Sequence, residues 1–385
     1  MRKTPLAGLA AVLTAVVVAA AGCGQATSSS AADDPISPNA GSTTAPDAEG
    51  LAMAKAIVAE YTKTPTTIGP LTPLTTLPPT GKTIITIANG TDSALTLNRA
   101  IAEAGAVLGW TVIDDQTAKS AEGNLAALTQ AIARKPDGIT ISGIEPDTIR
   151  TLLEKADEAG IAIMAASTLG QPYAALKDTH IAGPATLDLW GKMIAAYAVV
   201  ETQGAANVQM FTLPMYPVLM RYDASFLASL EAMCPACNAE QVPQQLADIG
   251  SRTPQNVANT LKANPLTNFV SSDFGDMFIG VPAALTTAGV EGQAAIGGLS
   301  GTKANIQNLK NGTENAWTAP PYPIEGWSLV DSFARYWTGV PFSTVPVPSQ
   351  IMTQENVDSL VTDADGNYIG VADYKQQFMD LWGVK

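Results

Sequence analysis

The stretch Thr83-Ile-Ile-Thr-Ile-Ala88 begins the pattern that decides the fold. Its β-branched, apolar run predicts a buried strand. Residues 95–108 follow with apolar side chains at every third or fourth position, which predicts a helix, and residues 110–113 predict a second strand. A strand, a helix and a strand in this order predict a parallel βαβ unit.

The same alternation continues along the chain and then starts again. Further helices are predicted at residues 121–134 and 148–159, and further strands at 138–142 and 161–164, which completes a first doubly wound sheet. A second series has helices at 189–200, 222–233, 254–264 and 277–288, and strands at 207–211, 269–270 and 294–296. It is long enough to form a second lobe with its own sheet. We therefore expect an α/β protein with two Rossmann-like, doubly wound parallel-sheet lobes.

The N-terminus carries the pattern of an export signal. Arg2 and Lys3 precede an apolar run over residues 6–21, and Cys23 follows it directly after small residues. This predicts a lipoprotein signal peptide over residues 1–22 and a lipid on Cys23, which would hold the protein outside the cytoplasm at the outer face of the cell membrane. An ordinary signal peptide and a membrane-spanning anchor are the alternatives, since a span needs about 20 apolar residues. An ordinary span has no reason to end in a cysteine.

Residues 23–81 are predicted to be a flexible tether. Ser, Thr, Ala, Pro and Asp dominate up to about residue 50, and such a composition cannot bury enough apolar surface to fold. A short helix is predicted at 51–61, followed by a proline-rich extended segment. The compact body is expected to begin at Lys82.

Charge and residue types exclude several functions. The 385-residue chain has a net charge of −14, which disfavours nucleic acid as a partner. It has one histidine, His180, so a histidine-based catalytic triad would have to use that residue, and a zinc site would lack ligands. Phosphate-binding glycine motifs are also missing from the sequence. We therefore predict no catalytic residues, no metal and no cofactor, and expect a binding protein rather than an enzyme.

Cys234 and Cys237 form a Cys-Pro-Ala-Cys motif. In an oxidising compartment this spacing predicts a local disulfide, and a redox-active pair is the alternative. Redox pairs stand at the start of a helix, which lowers the pKa of the first thiol. Here the motif follows a predicted helix, so the structural disulfide is favoured.

Several segments occur in an order that is typical of one family. They are Arg221 leading into Tyr-Asp-Ala-Ser-Phe226, Phe274-Gly-Asp-Met277 before Gly280, Ala294-Ala-Ile-Gly-Gly298, and Gly326-Trp-Ser-Leu-Val-Asp331. From about residue 82 to residue 352 the chain resembles type I periplasmic binding proteins of the ribose-binding, sugar-transporter family. The resemblance implies two lobes joined by a three-crossover hinge, with residues 82–182 and 320–345 in lobe 1 and residues 183–319 and 346–385 in lobe 2. It further implies a monomer that closes on a small solute and delivers it to an ABC permease.

Polar and aromatic residues follow the predicted strands of both lobes, where ligands of such sheets bind. The loops at 89–93 and 142–145 belong to this group. The predicted solute contacts are Asp92, Ser93, Ser167, Thr168, Arg221, Phe274, Asp276, Ser300 and Tyr322.

The departures from the family pattern bear on the solute. Arg221 matches an arginine that donates to sugar hydroxyls in the family, although a surface ion pair with Asp223 or Asp276 is an alternative. The carboxylates that sugar binders usually carry at the positions of Ser167 and Ser300 are missing. Since an unpaired buried carboxylate is costly, this suits a less hydroxylated solute. The expected solute is a sugar, a polyol or a related, less polar ring compound. A lipoprotein of the same fold that presents a signal to a membrane receptor is the alternative function.

Overall fold

The computed structural model describes residues 47–69, 71–88, 91–116 and 121–385, except for the side chains of residues 88, 92, 115, 116 and 121. The predicted signal peptide and the lipidation site Cys23 lie outside this range. Helix α1 spans Ala48–Tyr61 and begins with the side chain of Asp47 accepting a hydrogen bond from the backbone N–H of Glu49. None of the helices in these described ranges is both long and apolar enough to cross a membrane.

The first lobe is built around a parallel sheet of five strands. The strands are β1 Thr83–Ala88, β2 Thr111–Gln116, β3 Gly138–Ser142, β4 Ala162–Ala166 and β5 Leu176–Ile181, in the order β2-β1-β3-β4-β5. Helices α2 Asp92–Val107, α3 Ala121–Ala133 and α4 Arg150–Glu158 connect them. Ile85 pairs in register with Ile113 on one side and Ile139 on the other. Because helices cover both faces of such a parallel sheet, the side chains of its central strands are buried on both faces.

The second lobe contains a sheet of six strands. These are β6 Asn207–Thr212, β7 Asn238–Pro243, β8 Phe269–Ser272, β9 Ala295–Gly298, β10 Ala316–Ala319 and β11 Gln350–Thr353, in the order β11-β10-β9-β8-β6-β7. Only β11 runs antiparallel to its neighbour within this sheet. The helices are α5 Pro184–Glu201, α6 Pro217–Met233, α7 Thr253–Ala263, α8 Val281–Ala288 and α9 Lys303–Lys310.

The chain passes between the two sheets at three places up to β11. It crosses from β5 to α5 at Gly183, from β10 to helix α10 (Tyr322–Thr338) at Pro321, and from α10 back to β11. Helix α10 packs against α2 at Gly326, where an added Cβ would lie 2.8 Å from the backbone oxygen of Leu97. The α/β class and the two-lobe architecture predicted from the sequence are therefore confirmed.

The last helix, α11 (Tyr374–Trp382), packs on the first lobe rather than the second. The rings of Trp327 in α10 and Trp382 stack with centroids 5.3 Å apart, and the indole N–H of Trp382 donates to Asp331 over 2.9 Å. Assigning all of residues 346–385 to lobe 2 is therefore wrong for this helix. A stacked pair of indoles joins α11 to α10, which itself packs on α2.

The compact body also begins before Lys82. Ala54 of α1 is fully buried, and Gly50 lies so close to α6 that a Cβ would meet the backbone oxygen of Met233 at 2.0 Å. Ile68 is buried in the same core, and the backbone oxygen of Thr72 accepts a hydrogen bond from Arg335. The described part of the predicted tether is thus packed onto the body by apolar and backbone contacts.

One predicted helix divides into two parts. Instead of one helix over residues 277–288, a short 3-10 helix spans Gly275–Phe278 and α8 begins after Gly280. Gly280 has a φ of 84°, a left-handed conformation that glycine adopts without strain and that interrupts a right-handed helix.

The predicted disulfide is present. Cys234 and Cys237 are bonded just after the last turn of α6, and Cys234 is buried. A pair at the end of a helix lacks the positive helix terminus that activates redox cysteines, so its position fits a structural bond.

Candidate ligand-binding site

A cavity of about 370 Å³ lies between the two lobes. On the first-lobe side its lining follows strands β1, β3 and β4, with Ser93, Ser142 and Ser167. On the second-lobe side it follows β8 and β9, with Phe274 and Ser300. The carboxyl ends of parallel strands thus supply both walls, as expected for open α/β sheets.

Ser167 and Ser300 hold similar conformations on opposite walls. Ser167 directly follows β4, and Ser300 lies two residues after β9. Their backbone φ angles are 51° and 59°, in a region that residues other than glycine rarely occupy. Backbone hydrogen bonds hold them there, from Ser167 N–H to the oxygen of Ile181 and from Ser300 N–H to the hydroxyl of Thr318. Such strain persists only where the surroundings enforce it, and it clusters at ligand sites.

A polar contact joins the lobes beside the cavity. The hydroxyl of Ser93 donates to Asp276 over 3.4 Å, which links the start of α2 to the 3-10 helix of the second lobe. The Tyr322 hydroxyl also lies here, close to Ser300 and Ser93, and burial raises the pKa of this phenol. Tyr322 is therefore neutral at physiological pH and can both donate and accept a hydrogen bond.

Glu145 is the one charged side chain among the described residues that line the cavity. Its carboxylate accepts hydrogen bonds from the Thr168 hydroxyl and from the backbone N–H of Leu169, each over 3.2 Å. Thr168 is fully buried, so it orients Glu145 rather than facing the solute space. Sequence reasoning placed Glu145 in a polar strand-end loop and left it out of the predicted contacts.

Most of the remaining lining is apolar. Trp190 contributes its ring while its indole N–H donates to the Ser349 hydroxyl over 2.9 Å, so the polar atom of this side chain is already engaged. Tyr216 also belongs to the second-lobe wall, and burial raises the pKa of its hydroxyl. The aliphatic part of that wall consists of Leu187, Leu213, Val218, Leu219, Leu246 and Leu299.

Arg221 does not line the cavity. It lies in α6, where its guanidinium pairs with Asp188 of α5 through two hydrogen bonds of 2.8 and 2.6 Å. A planar guanidinium and a carboxylate form such two-bond pairs readily. The surface ion pair considered from the sequence is thus formed, but with Asp188 rather than with Asp223 or Asp276.

The predicted contacts therefore fall into three groups. Ser93, Ser167, Phe274, Ser300 and Tyr322 line the cavity. Asp276 and Thr168 lie behind lining residues, and Arg221 lies outside; the side chain of Asp92 is not among those described. Within the described residues, no cluster of three or more potential ligands is placed to hold a metal ion.

Comparison with known proteins identifies one protein family. A family model for the periplasmic binding protein domain matches residues 84–340. No curated protein matches the chain.

Among solved structures, a 5-methylthioribose transporter solute-binding protein from Thermotoga lettingae is similar with a TM-score of 0.66 and 18% identity, over 80% of this chain and 99% of that one. A glucose-galactose binding protein from Geobacillus stearothermophilus has a TM-score of 0.64 and 14% identity, over 72% and 99% of the two chains. A sugar-binding protein of a sugar ABC transporter from Bacillus halodurans has a TM-score of 0.62 and 22% identity, over 72% and 98%. At these identities the likeness shows a shared fold.

Proposed function

Since the chain belongs to the family of periplasmic binding protein domains, we propose that it is the substrate-binding component of an ABC importer and captures a small solute in the cavity between its lobes. The observation that carries this proposal is the cavity itself, whose walls come from the strand ends of both lobes. Sugars named for the similar structures make a sugar, a polyol or a related, less polar ring compound the class in which to seek the solute.

Closure of the lobes supplies the mechanism. A solute that touches both walls gains contacts only when the lobes are together, so it favours the closed form over the open one by that difference in affinity. Ser167 on one wall and Ser300 on the other are examples of residues that only the closed form brings to one ligand. The contact between Ser93 and Asp276 also joins the two lobes in the closed form. Because it is a single hydrogen bond of 3.4 Å, it is too weak to hold the closed form alone.

We further propose that a lipid on Cys23 anchors the protein to the outer face of the membrane, where it meets its permease. The family places the protein outside the cytoplasm, and the Arg2-Lys3 and Cys23 pattern supports the anchor. The proposed role includes no catalysis.

The test combines a stability screen with solution scattering. Sugars, polyols and cyclic alcohols are added to the purified chain, and a solute at 100 times its Kd is expected to stabilise the fold by about 2.7 kcal/mol. The radius of gyration should fall with the same solute. Phe274→Ala should weaken binding because the ring lines the cavity, whereas Tyr336→Ala, at an exposed position of α10, serves as the control.

Two outcomes would count against the proposal. One is a solute that binds with no change in the radius of gyration. The other is a solute whose affinity is the same in Phe274→Ala as in the parent.

A further inference from the structure

The aliphatic residues of the cavity are distributed over both walls. The first lobe contributes Leu97, Leu125, Ile144 and Ile149, which face the leucines and Val218 of the second lobe. Each hydroxyl of a buried sugar needs a hydrogen-bond partner, because an unpaired polar group in an apolar environment is costly. These side chains provide none. A solute that presents carbon to both walls fits them better than one with hydroxyls all around its ring.

The aromatic side chains extend the same surface. Phe274 has no polar atom, and the one polar atom of Trp190 is bonded to Ser349. Both belong to the lining, and neither has an unbonded polar side-chain atom to offer a solute. A cavity of about 370 Å³ has room for about a dozen waters, at roughly 30 Å³ each. Water beside such walls is poorly hydrogen-bonded, so an apolar solute gains by displacing it.

The polar groups of the cavity set the second requirement. A carboxylate such as that of Glu145 only accepts hydrogen bonds, and the bonds from Thr168 and Leu169 hold it in place at the first-lobe wall. No lysine or arginine belongs to the described part of the lining, and the guanidinium of Arg221 is engaged by Asp188. A hydroxyl or an ammonium group on the solute satisfies Glu145, whereas a carboxylate or phosphate is repelled by it.

Resting on the proposed function, we propose that the solute is a predominantly apolar ring compound that carries a hydrogen-bond donor, a hydroxyl or an ammonium group, for Glu145. The ring lies between the aliphatic and aromatic walls, and the donor points to the first lobe. The hydroxyls of Ser93, Ser300 and Tyr322 can pair with a second polar group at the edge where the lobes meet.

The test uses three probes that share one ring system and differ in one group: 2-naphthylmethanol, 2-naphthylmethylamine and 2-naphthoate. D-Galactose and D-ribose are the sugar probes, and calorimetry on the full chain gives each Kd. The alcohol and the amine should each bind at least about ten-fold more tightly than the naphthoate and than both sugars. A difference of this size is expected when a buried polar group gains a hydrogen-bond partner in one complex and lacks it in another.

Two cavity variants and one control variant test whether the probes bind in the cavity. Glu145→Gln should reduce the preference for the amine over the alcohol by roughly ten-fold, because a charge-assisted hydrogen bond is lost. Glu158→Gln, the same change at an exposed position of α4, should leave the preference unaltered. Phe274→Asn should weaken the binding of the alcohol and strengthen the binding of a sugar, since an amide that can form hydrogen bonds replaces an apolar ring.

The outcomes separate the solute class from the function. If a sugar binds more tightly than the alcohol and the amine, and the radius of gyration falls, the apolar class is overturned while the binding function stands. If the naphthoate binds as tightly as the amine, the role of Glu145 is overturned. If neither the naphthalene probes nor the sugars bind or compact the chain, the apolar class and the proposed function fail together.

Discussion

Loss of Arg335 should weaken the fold strongly. Its Nε donates to Asp331 over 2.6 Å, and its two terminal nitrogens donate to the backbone oxygens of Thr72, over 2.9 Å, and of Pro341, over 3.3 Å. Asp331 also accepts from the indole of Trp382. The side chains of Arg335 and Asp331 are only 2% and 3% exposed. One buried ion pair thus joins α10 to the segment before β1, to the segment after α10 and to α11.

Replacing Arg335 with methionine keeps most of the apolar volume but leaves Asp331 buried without its counter-charge. Breaking a buried ion pair in this way costs about 3–5 kcal/mol. Burial raises the pKa of Asp331, while Arg335 lowers it, so in the variant Asp331 takes up a proton more readily and part of the loss is recovered at low pH. We therefore expect the free energy of unfolding, measured by urea titration at pH 7.5, to fall by about 3–5 kcal/mol.

Two further variants test whether the loss of stability comes from the buried, unpaired charge of Asp331. Asp331→Asn combined with Arg335→Met removes both charges and keeps an oxygen for Trp382, so it should be more stable than Arg335→Met alone. Arg99→Met breaks an exposed pair with Asp365, whose side chains are 61% and 66% exposed, and should cost about 0–1 kcal/mol. A loss for Arg335→Met no larger than for Arg99→Met, or a double variant no more stable than the single one, would refute the argument.

Two other predictions concern pH and the membrane. Burial raises the pKa of Asp223, that of Glu314 to about 7 and that of Glu325 to about 8. A raised carboxyl pKa means that the folded state holds protons the unfolded state releases, so each group contributes stability below its unfolded pKa and loses it as the pH rises through 7–8, by up to about 1.4 kcal/mol per pH unit. The melting temperature should fall from pH 5.5 to pH 8, and less so in Glu325→Gln; an equal fall in both proteins would contradict this role for Glu325. Separately, Cys23→Ala should move the protein from the membrane fraction of the producing cells to the soluble extracytoplasmic fraction, and continued membrane association would contradict the lipid anchor.

Several central strands could be predicted from the sequence because most of their consecutive residues are apolar or β-branched. Strands β1 and β3 lie at the predicted residues, since strands covered on both faces need a continuous apolar, β-branched run. Strands β5, β7, β10 and β11 were not predicted. Strand β10 lies inside its sheet but has only four residues, whereas β5, β7 and β11 lie at sheet edges, and the sequence of β7, Asn-Ala-Glu-Gln-Val-Pro, has no buried residue. An edge strand depends on a neighbour far along the chain for its pairing, so its own residues carry little signal.

The cavity could be predicted in part. Ser167 and Ser300 were found because they follow predicted strands, and the rule that ligands lie at strand ends applies to any such loop. The same rule does not say which side chain of a loop faces inward. Glu145 lines the cavity and Arg221 does not, because Thr168 holds the first in place and Asp188 on a neighbouring helix engages the second. Both partners are remote in sequence from the residue that they orient.

The alternation of strands and helices, and hence the two-lobe α/β class, followed from sequence alone, because local periodicity decides which segments form helices or strands. Tertiary structure alone decided that residues 47–69 and 71–81 and helix α11 pack on the body, and that the space between the lobes is largely apolar. These features depend on contacts such as Thr72 with Arg335 and Trp382 with Trp327, which join residues far apart in the chain. Pairings of that kind are selected by the packing of the whole molecule and leave no periodic mark on either partner's own sequence.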